Sequence, residues 1–169
     1  MPHSELSSLP LRCSLPLLLG ATALLLTLPV TLGFSPVSFI RRRSKIIHTT
    51  NAPAAIGPYS QAVLSPDGKT LYASGYISLT PTGQFVGPTV EEQARQALEN
   101  LVAIVTAAGG TPLSVVKTTV LLTQNMDSYA SVNKIYEEFF NEAKPARAAF
   151  AVAALPAGAL IEIECVACL

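Results

Sequence analysis

From Ile46 to the end of the chain, apolar residues recur with two periods, and each change of period marks an element. QAVLS (61–65) and TLYASGYIS (70–78) flank Pro66-Asp67-Gly68-Lys69, a turn in which glycine supplies positive φ, so they predict a hairpin. Pro81-Thr82-Gly83 is a second turn. Thr89 and Glu92 have capping-box spacing. Ala94, Ala97, Leu98, Leu101, Ile104, Val105 and Ala108 follow as a one-sided stripe, which predicts a helix closed by Gly109-Gly110. The β-branched run VVKTTVLLT (115–123) predicts a strand. Asp127 or Ser128 can cap a second helix, whose Tyr129, Val132, Tyr136, Phe139 and Phe140 again repeat at three and four. AAFAVAAL and ALIEIECVACL read as two strands joined at Pro156-Ala157-Gly158, with one more strand at Ile46-Ile47.

The order β-β-α-β-α-β-β predicts an α+β domain, one sheet with both helices packed on one face. Its last strands are apolar on both sides: Ala149, Ala151 and Ala153 alternate with Phe150, Val152 and Ala154. An open sheet face of that character needs cover, so the chain is expected to associate with itself. If the last two strands form a hairpin around Ala157-Gly158, Arg147 lies opposite Val166 to Ala167. Glu162 then lies near Val152, more than about 15 Å from Arg147 at strand spacing.

Charge divides the chain in two. Residues 1 to 45 hold five basic residues and one acid, whereas residues 46 to 169 hold six basic against ten acidic residues, a net of about −4. A mildly acidic folded part without a basic stripe is a poor match to nucleic acid. Between Glu5 and Asp67 there is no acid at all. LPLLLGATALLLTLPVTLG (15–33) suits the apolar region of a secretory signal, with a membrane anchor as the competing reading at that length. FSPVSFIRRRSK (34–45) follows with the Ser- and Arg-rich, acid-free character of a transit peptide. The two-part pattern resembles presequences of algae whose plastids lie within extra membranes. The expectation is a targeting presequence over 1–45 (signal-like 1–33, basic 34–45) and a folded domain over 46–169. Plastid import is favoured; mitochondrial import, secretion and membrane anchoring remain alternatives.

The candidate chemistry is sparse. His3 and His48 lie in or beside the presequence, which leaves little room for histidine base catalysis or a histidine metal site. Cys165 and Cys168 spell CxxC, yet residues three apart in an alternating strand point to opposite faces, so both read as core thiols rather than as a metal or disulfide pair. Arg147 stands among alanines, valines and phenylalanine, and Glu162 stands in the strand IEIE. Each can be a rim salt bridge. Alternatively, Arg147 is a guanidinium fork for a carboxylate, and Glu162 a carboxylate that handles protons or water. The loop AAIGPYSQA (54–62) presents Tyr59, whose default role is structural. Gly75, beside Ser74 in a strand interior, marks a close approach by a ligand or another backbone. Asn133 can be a tolerated polar helix residue or a site residue.

NAPAAIGPYSQ, the SG of YASGYI, EEQARQALENLVAIVTAAGG, VVKTTVLL, YASVNKIYEEFF, PARAAF and IEIE, in this order, resemble the RidA (YjgF) family of reactive-intermediate deaminases. The resemblance covers about residues 46 to 169. It implies a chorismate-mutase-like α+β fold, a barrel-like homotrimer with sites between subunits, and no metal or organic cofactor. It also implies hydrolysis of 2-imino acids (2-iminobutanoate, 2-iminopropanoate) to 2-oxo acids and ammonia, which protects pyridoxal-phosphate enzymes from damage. A non-catalytic trimer that binds small carboxylates, or a chaperone-like module, is the alternative within the same fold.

Carried over by position, Arg147 would clamp the substrate carboxylate and Glu162 would orient or activate the attacking water. Tyr59 would line the cleft near the imine, the backbone at Ser74 and Gly75 would approach the substrate, and Asn133 would join the site region. The position two residues after the arginine, cysteine in many members, is Ala149 here. The resemblance implies that its backbone carbonyl helps hold the water, a group alanine also supplies.

Overall fold

The structure, a computed structural model, describes residues 43–123 and 126–169. The presequence expected over 1–45 lies, apart from its last three residues, outside the described residues. The chain runs β1 (Lys45–Ile47), β2 (Ala62–Leu64), β3 (Thr70–Tyr76), α1 (Val90–Ala107), β4 (Val115–Leu122), α2 (Tyr129–Phe140), β5 (Ala146–Ala151) and β6 (Ile161–Cys168). The strands form one sheet in the order β1-β2-β3-β6-β4-β5. Every neighbouring pair is antiparallel except β4 and β5, which the α2 crossover makes parallel. Among the described residues no helix is long and apolar enough to cross a membrane.

Helix α1 forms where the stripe predicts it. Thr89 is its N-cap and completes the capping box with Glu92, a device worth about 1 kcal/mol. At the other end Gly109 adopts φ 96°, and the Gly110 N–H turns back to the Val105 carbonyl at 3.0 Å. Ala94, Ala97, Leu98, Leu101, Ile104 and Val105 are fully buried against the sheet. Each of the larger side chains contributes roughly 1.5–3 kcal/mol of transfer free energy. The periodicity does not announce two buried polar residues of α1. Asn100 donates to the carbonyls of Ile77 and Leu79, and Gln93 accepts from the Leu160 N–H at 2.8 Å, so both tie the helix to loops beside the sheet.

The strictest alternation belongs to β6. Ile161, Ile163, Cys165 and Ala167 are buried toward the helices, while Glu162, Glu164, Val166 and Cys168 face the other side. Cys165 is a core thiol as expected, on the face opposite Cys168. Cys168 is exposed, so the core reading fails for it: it is the last residue of the strand and lies beyond the cover of the helices.

The expected β5–β6 hairpin does not form. The Pro156–Gly158 turn is present, with Ala157 and Gly158 at positive φ. However, the nine residues from 152 to 160 carry the chain around the end of β4. The Val152 N–H donates to Leu122, and the Thr123 N–H to Leu160. As a result β6 pairs with β3 and β4, while β5 is left on the far edge of β4. The helices cover one face only. Across the open face, pairing aligns Ile46, Val63, Tyr72 and Val166 in one row, and Phe150, Leu121 and Glu162 in another. Ile46, Tyr72 and Phe150 are each more than half exposed.

Candidate active site

The sheet register decides how the candidate residues are grouped. Arg147 pairs with Thr118 of β4, and Thr118 in turn pairs with Cys165; Thr118 and Cys165 are buried on the helix side. Glu162 pairs with Leu121 on the open side. Three residues along the strands and two strands across place the two about 14 Å apart, on opposite faces. Arg147 therefore lies opposite Thr118, not opposite Val166 to Ala167, because β4 intervenes between the strands expected to form a hairpin. Two separate concavities result.

The first is lined by Tyr59, Ser74, Gly75, Tyr76 and Glu162, together with Ile56, Ile77, Leu79 and Pro156. Gly75 is there for space, since its φ lies outside the left-handed region. A Cβ at this position would sit 2.7 Å from Cδ and 2.9 Å from Cγ of Glu162. The close approach is thus made by a side chain, that of Glu162, where the strand glycine pointed to a ligand or another backbone. Burial pushes the Glu162 carboxyl above the ordinary carboxylate range, and the like charge of Glu164 two residues on adds to this. Ser74 turns its hydroxyl to the Ser60 carbonyl at 2.7 Å, and its backbone N–H to the Gln61 carbonyl at 3.1 Å, which ties β3 to the loop that carries Tyr59. Tyr59 folds its ring over Gly57, and its hydroxyl accepts from the Ile56 N–H at 3.2 Å.

Gln61, buried beneath this loop, was not evident from sequence pattern. Its Oε1 accepts from the Thr49 N–H at 2.8 Å. Its Nε2 donates to the carbonyls of Thr49, Ala52 and Pro53 at 3.0, 3.3 and 2.8 Å. Tyr76 also donates its hydroxyl to the Gln61 carbonyl at 2.8 Å. One glutamine thus fixes residues 49–53 against the start of β2, the wall next to Tyr59.

The second concavity brings together Arg147, Ala149, Asn133, Tyr129 and Tyr136 at the junction of α2 and β5. Arg147 has no carboxylate partner: the single ion pair among the described residues joins Arg95 to Glu138 at 2.8 Å. Instead the guanidinium carbon lies 4.7 Å from the Tyr136 ring centroid and 5.3 Å from that of Tyr129. Nη2 donates to the Tyr129 hydroxyl at 2.7 Å. Tyr136 is in turn held by Thr118, hydroxyl to hydroxyl at 2.7 Å. Asn133 Oδ1 is buried without a hydrogen-bond partner among the described residues. Positions 129, 133 and 136 share one helix face. The signal for the two tyrosines was therefore present in the sequence, but they read there as core.

A guanidinium with no acidic side chain paired to it among the described residues suits an anionic ligand, and a half-buried carboxylate with a raised pKa suits proton transfer. Residues 49–169 match the family described as Endoribonuclease L-PSP. The chain belongs to that family. Within the Endoribonuclease L-PSP family, it is 53% identical over 124 residues to a Mus musculus protein named 2-iminobutanoate/2-iminopropanoate deaminase, covering 73% of this chain and 90% of the mouse protein. It is 44% identical over 128 residues to the Arabidopsis thaliana protein named Reactive Intermediate Deaminase A, chloroplastic, covering 75% and 67% of the two chains. Among solved structures, the Escherichia coli YjgF gene product superposes with a TM-score of 0.69 at 46% identity, covering 74% of this chain and 98% of that one. Escherichia coli TdcF, solved with bound serine, gives 0.69 at 41% identity, with 74% and 98% covered.

Proposed function

We propose that the chain hydrolyses 2-imino acids of the 2-iminobutanoate and 2-iminopropanoate class to 2-oxo acids and ammonia, and so protects pyridoxal-phosphate enzymes from these intermediates. The observation that carries the reading is the presence in one sheet of an aromatic-walled Arg147 with no acidic partner among the described residues and of a half-buried Glu162 whose carboxyl is held above its ordinary pKa. The two lie on opposite faces of one sheet, so a single copy cannot close them on one small substrate. Two different patches that meet between copies make a head-to-tail contact, which closes into a ring where the rotation between copies permits. A homotrimer, as the family resemblance implies, brings Arg147, Asn133 and Ala149 of one copy to Tyr59, Ser74, Gly75 and Glu162 of the next. The apolar row on the open face supports the same association.

In the site so formed, Arg147 takes the substrate carboxylate. Glu162 accepts a proton from water as the water oxygen bonds to C2, and returns it to the nitrogen that receives the C2=N electron pair. The hydroxyl proton of the tetrahedral adduct then passes to nitrogen as the C2–N bond breaks, which releases ammonia and leaves the 2-oxo acid. The imine is already electrophilic, so placement of water and modest proton transfer suffice, and no metal or organic cofactor is required. The carbonyl of Ala149 and the side chain of Asn133 offer acceptors beside the clamp. Tyr59 lines the imine side. The net acidity of the six basic and ten acidic residues from position 46 onward makes this part a poor electrostatic match to an RNA backbone. Residues 1–45 serve as a presequence for import into an organelle, the plastid by preference. A fusion of residues 1–50 to a fluorescent protein tests this by imaging.

The catalytic reading is tested by generating the imine from threonine with a serine/threonine dehydratase and following release of 2-oxobutanoate. Arg147→Ala and Glu162→Ala should each abolish the acceleration. Mixing the two variants with subunit exchange should restore about a quarter of wild-type activity, since one site in four joins an intact Arg147 to an intact Glu162. Full activity of either variant alone would refute the assignment.

A further inference from the structure

The Arg147 half-site contains a group to which no role has yet been given. Tyr129 is the first residue of α2, and its hydroxyl accepts from Arg147 Nη2 at 2.7 Å. Together with Tyr136 beneath the guanidinium, it fixes a side chain that is otherwise exposed and unpaired. We infer that Tyr129 is a positioning residue, which holds the Arg147 guanidinium ready for the substrate carboxylate through a neutral hydroxyl.

The neutrality of the partner matters. An arginine carries several rotatable bonds, and it must lose that freedom when it grips a carboxylate in two places. Something that orders it beforehand transfers the entropic loss from binding to folding. A glutamate or aspartate at this place would order it equally well. However, an acid would neutralise the charge and compete with the substrate for the same fork. A phenol orders one nitrogen and leaves the positive charge intact. The aromatic faces at 4.7 and 5.3 Å add attraction without occupying any donor. Tyr136 is fixed by Thr118 on β4, so the support extends into the sheet. Burial pushes the Tyr136 phenol up, which keeps it neutral beside the cation. The i, i+7 spacing of Tyr129 and Tyr136 places both supports on one helix face.

The inference rests on the deaminase reading for its kinetic form, but its binding form is separate. In Tyr129→Phe the ring remains and only the hydroxyl is lost. Loss of a hydrogen bond to a charged group, partly made good by water, should raise KM for the imine about tenfold with kcat changed less than about twofold. By calorimetry the affinity for 2-oxobutanoate should fall by about the same factor. Affinity for the uncharged 2-oxobutanamide should not change. In an Arg147→Lys background, Tyr129→Phe should have no further effect, because lysine lacks the planar fork. Tyr129→Leu, which removes the ring as well, should weaken 2-oxobutanoate binding further than Tyr129→Phe. Equal 2-oxobutanoate affinity in wild type and Tyr129→Phe, equal losses for acid and amide, or full additivity with Arg147→Lys would each overturn the inference. So would absence of 2-oxobutanoate binding by the wild type. If the wild type binds 2-oxobutanoate but shows no turnover, the deaminase reading fails while the calorimetric comparison still decides the role of Tyr129.

Discussion

Replacing Gly75 by alanine separates the position of the Glu162 carboxylate from its chemistry. The added Cβ would overlap Oε1 of Glu162 and fall 2.7 Å from the carboxyl carbon, against ordinary contacts of 3.4–4 Å, so the carboxyl must retreat. The retreat is more than about 1 Å. Glu162 can make it by rotating, at about 0.5–1.5 kcal/mol if it is driven off a rotamer. A displacement of that size at a reacting group costs on the order of a hundredfold in rate. Gly75→Ala should therefore lower kcat in the dehydratase-coupled assay about a hundredfold, while the melting temperature falls by less than about 8 °C. A second variant makes the reasoning exacting. Gly75 does not depend on a left-handed φ, and Glu162→Ala removes the three atoms nearest to the Cβ of an alanine at 75. That alanine should then stabilise the fold by about 0.4–1 kcal/mol through the unfolded chain. Wild-type kcat in Gly75→Ala, or equal destabilisation in both backgrounds, would refute the claim that this glycine exists to admit Glu162.

Glu162 also sets a pH dependence. Its carboxyl is raised in the folded state, so its ionisation opposes folding. The penalty is absent below the unfolded value near 4.5, develops as pH rises through the folded value, and is complete above it. Glu162→Gln should accordingly raise the melting temperature at pH 8, with the difference vanishing near pH 4, as calorimetry at the two pH values would show. Gln61→Leu strands the Thr49 N–H and buried carbonyls, which should cost about 2–4 kcal/mol in urea unfolding. Phe150→Asp together with Tyr72→Asp places charge on the open face, and should yield monomers by light scattering with loss of activity. With Cys168 and Cys13, the third cysteine of the chain and part of the expected presequence, replaced by serine, the Cys165 thiol, which burial pushes up to about 12, should react with a disulfide reagent at pH 8 only after unfolding.

What could be read from the sequence, and what could not, divides along the range of the interactions. The α1 stripe and the β6 alternation are direct consequences of burying one face, so their periods stand in the sequence, and Thr89 with Glu92 marks the helix start in the same local way. The pairing of β6 was misread because AAFAVAAL and ALIEIECVACL are neighbours in sequence. Their partner is β4, and the choice between a hairpin and a strand inserted between β3 and β4 is settled by pairings across dozens of residues. Gln61 and Asn100 were silent for another reason. Their value lies in the backbone groups they satisfy, and hydrophobic periodicity does not register those.

The separation of Arg147 from Glu162 was anticipated, but the register gives it a stronger basis than distance. Opposite faces of a sheet cannot be brought together by side-chain rotation or by a small backbone shift, because β4 and the sheet itself lie between them. A carboxylate on the open face of a central strand is held above its usual range, and an arginine at the edge rests on tyrosines in place of an acid. Neither arrangement is the most stable available to an isolated domain: an apolar residue at 162 would avoid the desolvation of a charge, and an acid near 147 would give the cation a partner. Both become intelligible if each half-site is completed by another copy and by a bound carboxylate. On that view the strain is local and the compensation lies between molecules. The mixed-variant experiment tests that view directly, because activity returns only if a site forms between two chains, each of which lacks half of it.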